Sequence, residues 1–126
     1  AAKFGLGSAY THGVEHARGN FVLILDADMS HHPKFLGSMI QLQRSKALDI
    51  VSGCRYGAGG GVFGWDLRRK LVSRGANLLA QWVLRPQARD LTGSFRLYRR
   101  EAFDAVMRSM RSTGYVFQME IIVRAQ

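Results

Sequence analysis

At 126 residues, 47% hydrophobic and 21% charged, the chain has the size and composition of one folded domain, which excludes a disordered tail. A formal charge of +9 asks for an anionic partner such as phosphate groups, nucleic acid or a membrane surface, unless it marks an ordinary solvated basic surface. A single cysteine, Cys54, excludes an internal disulfide and a cysteine-based zinc cage, so the chain reads as intracellular or cytosol-facing; no apolar run in it is long enough to span a membrane.

Residues 7–18 read as a helix carrying Ala9, Val14 and Ala17, stopped by Gly19-Asn20. His12 and His16 are four residues apart on it, a possible ligand spacing, but without a third ligand in view they read as surface histidines. The run Phe21-Val22-Leu23-Ile24-Leu25 predicts a strand buried on both faces. It ends in Asp26-Ala27-Asp28. Two carboxylates one residue apart at the end of a strand suit a ligand site, and hard oxygen ligands select Mg²⁺ or Mn²⁺ bound together with a diphosphate. Two other readings stand beside this one: a turn that starts the next helix, and the nucleophile loop of dehalogenase-type phosphatases. His31 and His32, being adjacent, point in different directions and are expected to pack or cap instead of forming a metal pair.

Pro33 fits the first turn of a helix reaching about Lys46, with Phe35, Leu36, Met39, Ile40 and Leu42 as its apolar stripe. Residues 49–54 form a second short strand that ends in a small, buried Cys54, followed by Arg55 at the same sheet edge as the acidic pair. The glycine-rich residues 57–61 predict a mobile lid or an ordinary surface loop. Residues 66–84 read as the longest helix, broken by Pro86, with Leu67, Leu71, Leu78, Leu79 and Trp82 as its apolar stripe. Arg69 and Ser73 are one helical turn apart and can hold one anion together. With Arg68, Lys70, Arg74, Trp65 and Trp82, the helix is either a membrane-interface element or a plain amphipathic scaffold. Nucleic acid is disfavoured, because no binding motif and no exposed aromatics interleave the basic residues. Residues 89–98 read as a loop entering a short strand, residues 100–110 as a helix, and the final segment as another. This alternation predicts an α/β sandwich with a mostly parallel sheet.

The ordered blocks DADMSHHPKF, DIVSGCRYGAGGGVFGWDLRRKLVSRGAN, LRPQARDLTGSFRLYRREAF and GYVFQMEIIVRA resemble those of the dolichyl-phosphate mannose synthases, members of the family 2 glycosyltransferases. The resemblance covers nearly the whole chain and sets the phosphatase reading aside. It implies a GT-A fold, present as a single partial catalytic domain over residues 1–126 that lacks the nucleotide-binding first strands and a carboxy-terminal portion. It implies mannose transfer from GDP-mannose to dolichyl phosphate with inversion, dependent on Mg²⁺ or Mn²⁺, for protein glycosylation and GPI-anchor synthesis.

By the same resemblance Asp28 is the principal metal ligand, with Ser30 contributing through a water, and Asp26, Ala27, Asp28 and Arg55 contact the donor. Arg55, Arg69 and Ser73 hold the acceptor phosphate; Asp26, Asp28 and Arg55 form the catalytic group, and Asp90 has a positioning part. The implied setting is the cytosolic face of the endoplasmic reticulum membrane, with small membrane-anchoring subunits as partners. The Ser-His-His-Pro and Arg-Gly-Ala-Asn segments look more like the mannose enzymes of nucleated cells than like the polyprenyl-phosphate glucosyltransferases, the alternative in the same family. A non-catalytic basic membrane-binding module is the alternative from a different class.

Overall fold

In the computed structural model, residues 5–55, 66–84, 88, 90–112, 114 and 116–125 are described, except the side chains of Arg69 and Leu84. The expected lid at 57–61, together with Trp65 and Pro86, lies outside them, as does the side chain of Arg69. In chain order the elements are α1 (Leu6–His16), β1 (Phe21–Ile24), a 3-10 turn (Pro33–Phe35), α2 (Leu36–Lys46) and β2 (Ile50–Ser52). After them come α3 (Leu67–Leu84), β3 (Arg96–Arg99), α4 (Arg100–Ser109) and α5 (Phe117–Arg124).

The three strands form one sheet in the order β1-β3-β2. β3 runs antiparallel to both neighbours, which corrects the expectation of a mostly parallel sheet for these strands. β1 and β2 do point the same way, as a strand-helix-strand crossover through α2 requires. The chain then re-enters between them from their carboxyl edge, where Gly53 N donates to Phe95 O at 2.9 Å, so β3 has to run in the opposite direction. The consequence for function is direct. The ends of β1 and β2 and the start of β3 meet at one edge of the sheet.

Side chains alternate across this sheet with period two. On one face Val22, Ile24 and Tyr98 pack with Phe103 of α4 and Phe117 and Ile121 of α5; on the other, Leu97 and Val51 pack with Met39 of α2, and Leu23 lies against them. The run 21–25 is not buried on both faces as expected: Phe21 at the start of β1 is 40% exposed and Leu25, just past its end, 42%. Among the described residues β1 pairs along a single edge, with β3, which leaves these flanks in solvent.

Arg96 breaks the apolar pattern. Although fully buried, it donates from Nη1 to Gln118 O (2.8 Å) and from Nη2 to Leu91 O (3.0 Å) and Asp90 O (3.3 Å). A buried cation is tolerable when its donors are spent on oriented dipoles. Here they tie α5 and the segment before β3 to the centre of the sheet.

α3 docks by its polar side. Asn77 is buried while Leu67, Leu71, Leu78, Leu79 and Trp82 are exposed, so the stripe read from the sequence is real as a face but faces away from the described core. No described helix is long and apolar enough to cross a membrane.

Candidate active site

The acidic turn follows β1 directly. Asp26 Oδ2 accepts a hydrogen bond from Ser94 Oγ at 2.8 Å, and Asp26 N donates to His31 Nδ1 at 3.1 Å. His31 in turn stacks on Phe95, with ring centroids 4.9 Å apart and planes 13° apart. Asp26 is thus held from both sides by residues at the start of β3 and after the turn. His32 diverges from His31, its Nδ1 accepting from Lys34 N at 3.1 Å to cap the 3-10 turn.

Asp28 lies further out. Its Oδ1 accepts from Ser30 N at 3.0 Å, which closes a local turn across Met29, whose φ of 62° is left-handed. Hydrogen bonds from the side chain and amide of Ser30 hold the Asp28 carboxyl below its ordinary range, so it stays ionised. An exposed, ionised carboxylate beside a second carboxylate and a hydroxyl is a hard-oxygen donor set, and it fits Mg²⁺ or Mn²⁺ with substrate oxygens completing the shell. Ser30, exposed beside Asp28, adds a hydroxyl to this turn. Ala27, between the two acids, is exposed.

The arginine half is built differently. Arg55, just past β2, donates to Asp90 from Nε at 2.7 Å, from Nη2 at 2.7 Å and from its backbone N at 3.1 Å. Gly93 N adds a bond to Asp90 Oδ1 at 3.0 Å, so each carboxylate oxygen accepts two hydrogen bonds. Burial alone would raise the Asp90 pKa, but the Arg55 hydrogen bonds and charge outweigh it and hold the group below the usual carboxylate range. Saturated and acidic, Asp90 is a poor proton acceptor and a good clamp for a guanidinium.

Gly93 packs closely here: a Cβ would come within 3.2–3.3 Å of the Asp90 carboxylate, tighter than most such contacts. Thr92 Oγ1 accepts from Arg55 Nη2 (2.5 Å) and from Asn77 Nδ2 (3.1 Å), while Asn77 Oδ1 accepts from Leu91 N (2.9 Å). Asn77 therefore fastens α3, which carries Arg69 and Ser73 one turn apart, to the segment that clamps Arg55.

Residues 90–95 join the two halves, because Ser94 holds Asp26 while Asp90 and Thr92 hold Arg55. Asn77, Thr92, Ser94 and Arg96 did not stand out in the sequence. The signals they leave are the run Thr92-Gly93-Ser94 just past Asp90-Leu91 and the Arg-Gly-Ala-Asn segment that ends in Asn77.

Residues 1–107 match the family model described as glycosyl transferase family 2. The chain belongs to this family. The exposed acidic turn at the end of β1 therefore sits in a sugar-transferase scaffold, with the α/β architecture of a GT-A fold. Among curated proteins, the chain is similar to the polyprenol monophosphomannose synthase of Mycolicibacterium smegmatis, at 37% identity over 98% of this chain and 48% of that protein. It is also similar to the dolichol-phosphate mannosyltransferase of Pyrococcus furiosus, at 33% identity over 97% of this chain and 34% of that protein. The chain thus spans half or less of the length of these relatives.

Proposed function

We propose that the protein carrying this chain transfers mannose from GDP-mannose to dolichyl phosphate, or a like polyprenyl phosphate, with inversion at the sugar carbon. The observation that carries this reading is the pairing at one sheet edge of an exposed ionised carboxylate, Asp28, with a clamped guanidinium, Arg55. The names of the two mannosyl-transferring relatives support the choice of sugar and acceptor.

The chemistry asks little of a general base, since an acceptor phosphate oxygen is already anionic near neutral pH. That oxygen attacks the sugar carbon opposite the diphosphate, the bond between carbon and diphosphate oxygen breaks, and GDP leaves with the electron pair. The difficulty is to bring two anions together. In this reading Arg55, Arg69 and Ser73 hold the acceptor phosphate, and Asp90 keeps the Arg55 fork in place. Asp26, steadied by Ser94 and His31, contacts the donor together with Ala27. Asp28, with Ser30 through a water, would hold Mg²⁺ or Mn²⁺, which when bound offsets the charge of the diphosphate.

The outward apolar face of α3 fits the same reading. Leu67, Leu71, Leu78 and Trp82 are exposed on a helix that also carries Arg68, Lys70 and Arg74, a composition suited to an anionic lipid surface where a polyprenyl acceptor resides. An endoplasmic-reticulum location on the cytosolic side, small anchoring subunits, and supply of glycosylation and GPI-anchor synthesis belong to this proposal. They rest on the likeness of the Ser-His-His-Pro and Arg-Gly-Ala-Asn segments to enzymes of nucleated cells.

The test is transfer by the full-length protein of labelled sugar to dolichyl phosphate, with GDP-mannose and UDP-glucose compared, each with and without Mn²⁺. Metal-dependent mannosyl transfer is the expected result. Glucosyl transfer would shift the reading to the polyprenyl-phosphate glucosyltransferases. No transfer, with metal-independent binding to acidic vesicles, would leave a membrane-binding module.

A further inference from the structure

We propose that His12, Glu15 and His16 form a three-ligand surface site for a divalent transition-metal ion of the zinc class, separate from the acidic turn after β1. The sequence spells His12-Gly13-Val14-Glu15-His16 over the last turns of α1, and one helical face must carry residues three and four apart. By its own spacing the histidine pair supplies two ligands. The missing ligand sits between them in sequence.

In the structure a ligand atom from each of the three side chains lies within 4.8 Å of the other two. His12 Nδ1 is 3.6 Å from Glu15 Oε2, and the two imidazoles meet edge to face with centroids 4.8 Å apart. Metal-ligand bonds of about 2.0–2.1 Å place the ligand atoms of a tetrahedral site about 3.3 Å apart. The three groups thus need to close by no more than about 1.5 Å, a movement within reach of ordinary χ rotation. The side chains of His12 and Glu15 are 76% and 64% exposed, so rotation meets no packed neighbour. The backbone that sets their spacing is already helical.

The donor set also chooses the metal. Two imidazoles and one carboxylate suit Zn²⁺, Co²⁺, Ni²⁺ or Cu²⁺, whereas Mg²⁺ and Mn²⁺ prefer all-oxygen shells. The chain would thereby sort two classes of cation between two places: hard ions at Asp28, borderline ions on α1. Arg100 takes the last carbonyls of α1, donating to Ala17 O at 2.7 Å and Val14 O at 3.3 Å, and it is itself paired with Asp104. Attraction of the ion accordingly falls to the three side chains and not to the helix end. With three ligands on one exposed face, the remaining coordination position stays open to water or to a ligand from a neighbouring molecule. Because a site of this geometry exists only while α1 is helical, bound metal would hold the end of α1 folded next to the start of β1.

The experiment is a Co²⁺ titration of the untagged full-length protein, followed by visible absorption, with Zn²⁺ added as competitor. We expect uptake of a single equivalent with a spectrum of low coordination number, displaced by Zn²⁺ and insensitive to excess Mg²⁺. Binding should be lost in the His12→Ala/His16→Ala double variant, weakened in Glu15→Gln and kept in Asp28→Ala. All of these positions are exposed, and circular dichroism without metal should be the same in every variant. Uptake by the double variant equal to that of the unchanged protein would overturn the site, as would the absence of any uptake or its loss in Asp28→Ala alone.

Discussion

Both oxygens of Asp90 take two hydrogen bonds each inside the protein, and its side chain is 1% exposed. The carboxylate of Asp28, at the same sheet edge, stands in solvent with Ser30 to steady it. The two acids differ in what they are for. The first spends its charge on orienting Arg55, which in the proposed reaction would preorganise the anion-handling half before any substrate arrives. The second is exposed and steadied locally by Ser30, so in the proposed reaction its charge would be open to a cation. Charge alone does not mark a catalytic residue; what the charge already touches decides.

The largest effect is expected at Asp90. Asp90→Asn removes the partner of a mostly buried guanidinium, a loss of about 3 kcal/mol in stability, readable by urea unfolding. The same variant changes the pH response. The native pKa of Asp90 lies below its unfolded value, so its stabilisation is complete above the unfolded pKa of ~3.9 and is lost as pH falls through the folded pKa. Unfolding measured from neutral pH down through the carboxylate range should therefore show a shallower acid decline in Asp90→Asn than in the unchanged protein. Equal slopes would deny the clamp.

Asn77→Ala comes next. It strips the acceptor from Leu91 N and a donor from Thr92, both at the join between α3 and the Arg55 clamp. A buried donor left unsatisfied costs about 2 kcal/mol. Because the variant loosens α3, it should also raise the Michaelis constant for the lipid acceptor more than that for the donor. A stability loss with both constants unchanged would make Asn77 purely structural.

Ser94→Ala is the mildest. It removes one hydrogen bond to Asp26, about 1 kcal/mol, and His31 remains in place to hold the turn. Thermal unfolding should shift by a few degrees at most, with a modest fall in transfer rate.

Much of this arrangement is legible in the sequence, for reasons that are local. The five-residue apolar run before Asp26 places the acid pair at a strand end, and Gly19-Asn20 and Pro33 mark helix limits near the observed ones. What escapes is non-local. Periodicity groups Leu67, Leu71, Leu78 and Trp82 on one face of α3, but it cannot say that the face opposite, with Asn77, is the one that docks. Strand patterns give β3 its place in the chain and not its direction, which is set by where residues 90–95 approach the sheet. Small polar residues such as Thr92 and Ser94 act through partners 37 and 68 positions away, a distance at which one sequence carries no pairing signal.

The measurement that tests the account most directly sets Asp28→Ala beside Asp90→Asn, with transfer rate and unfolding free energy determined for both in the full-length protein at saturating Mn²⁺. The account predicts a dissociation: Asp28→Ala lowers transfer by about a hundredfold or more with stability unchanged, while Asp90→Asn lowers stability by about 3 kcal/mol. Near-normal turnover in Asp28→Ala, or a stability loss there as large as that in Asp90→Asn, would contradict it.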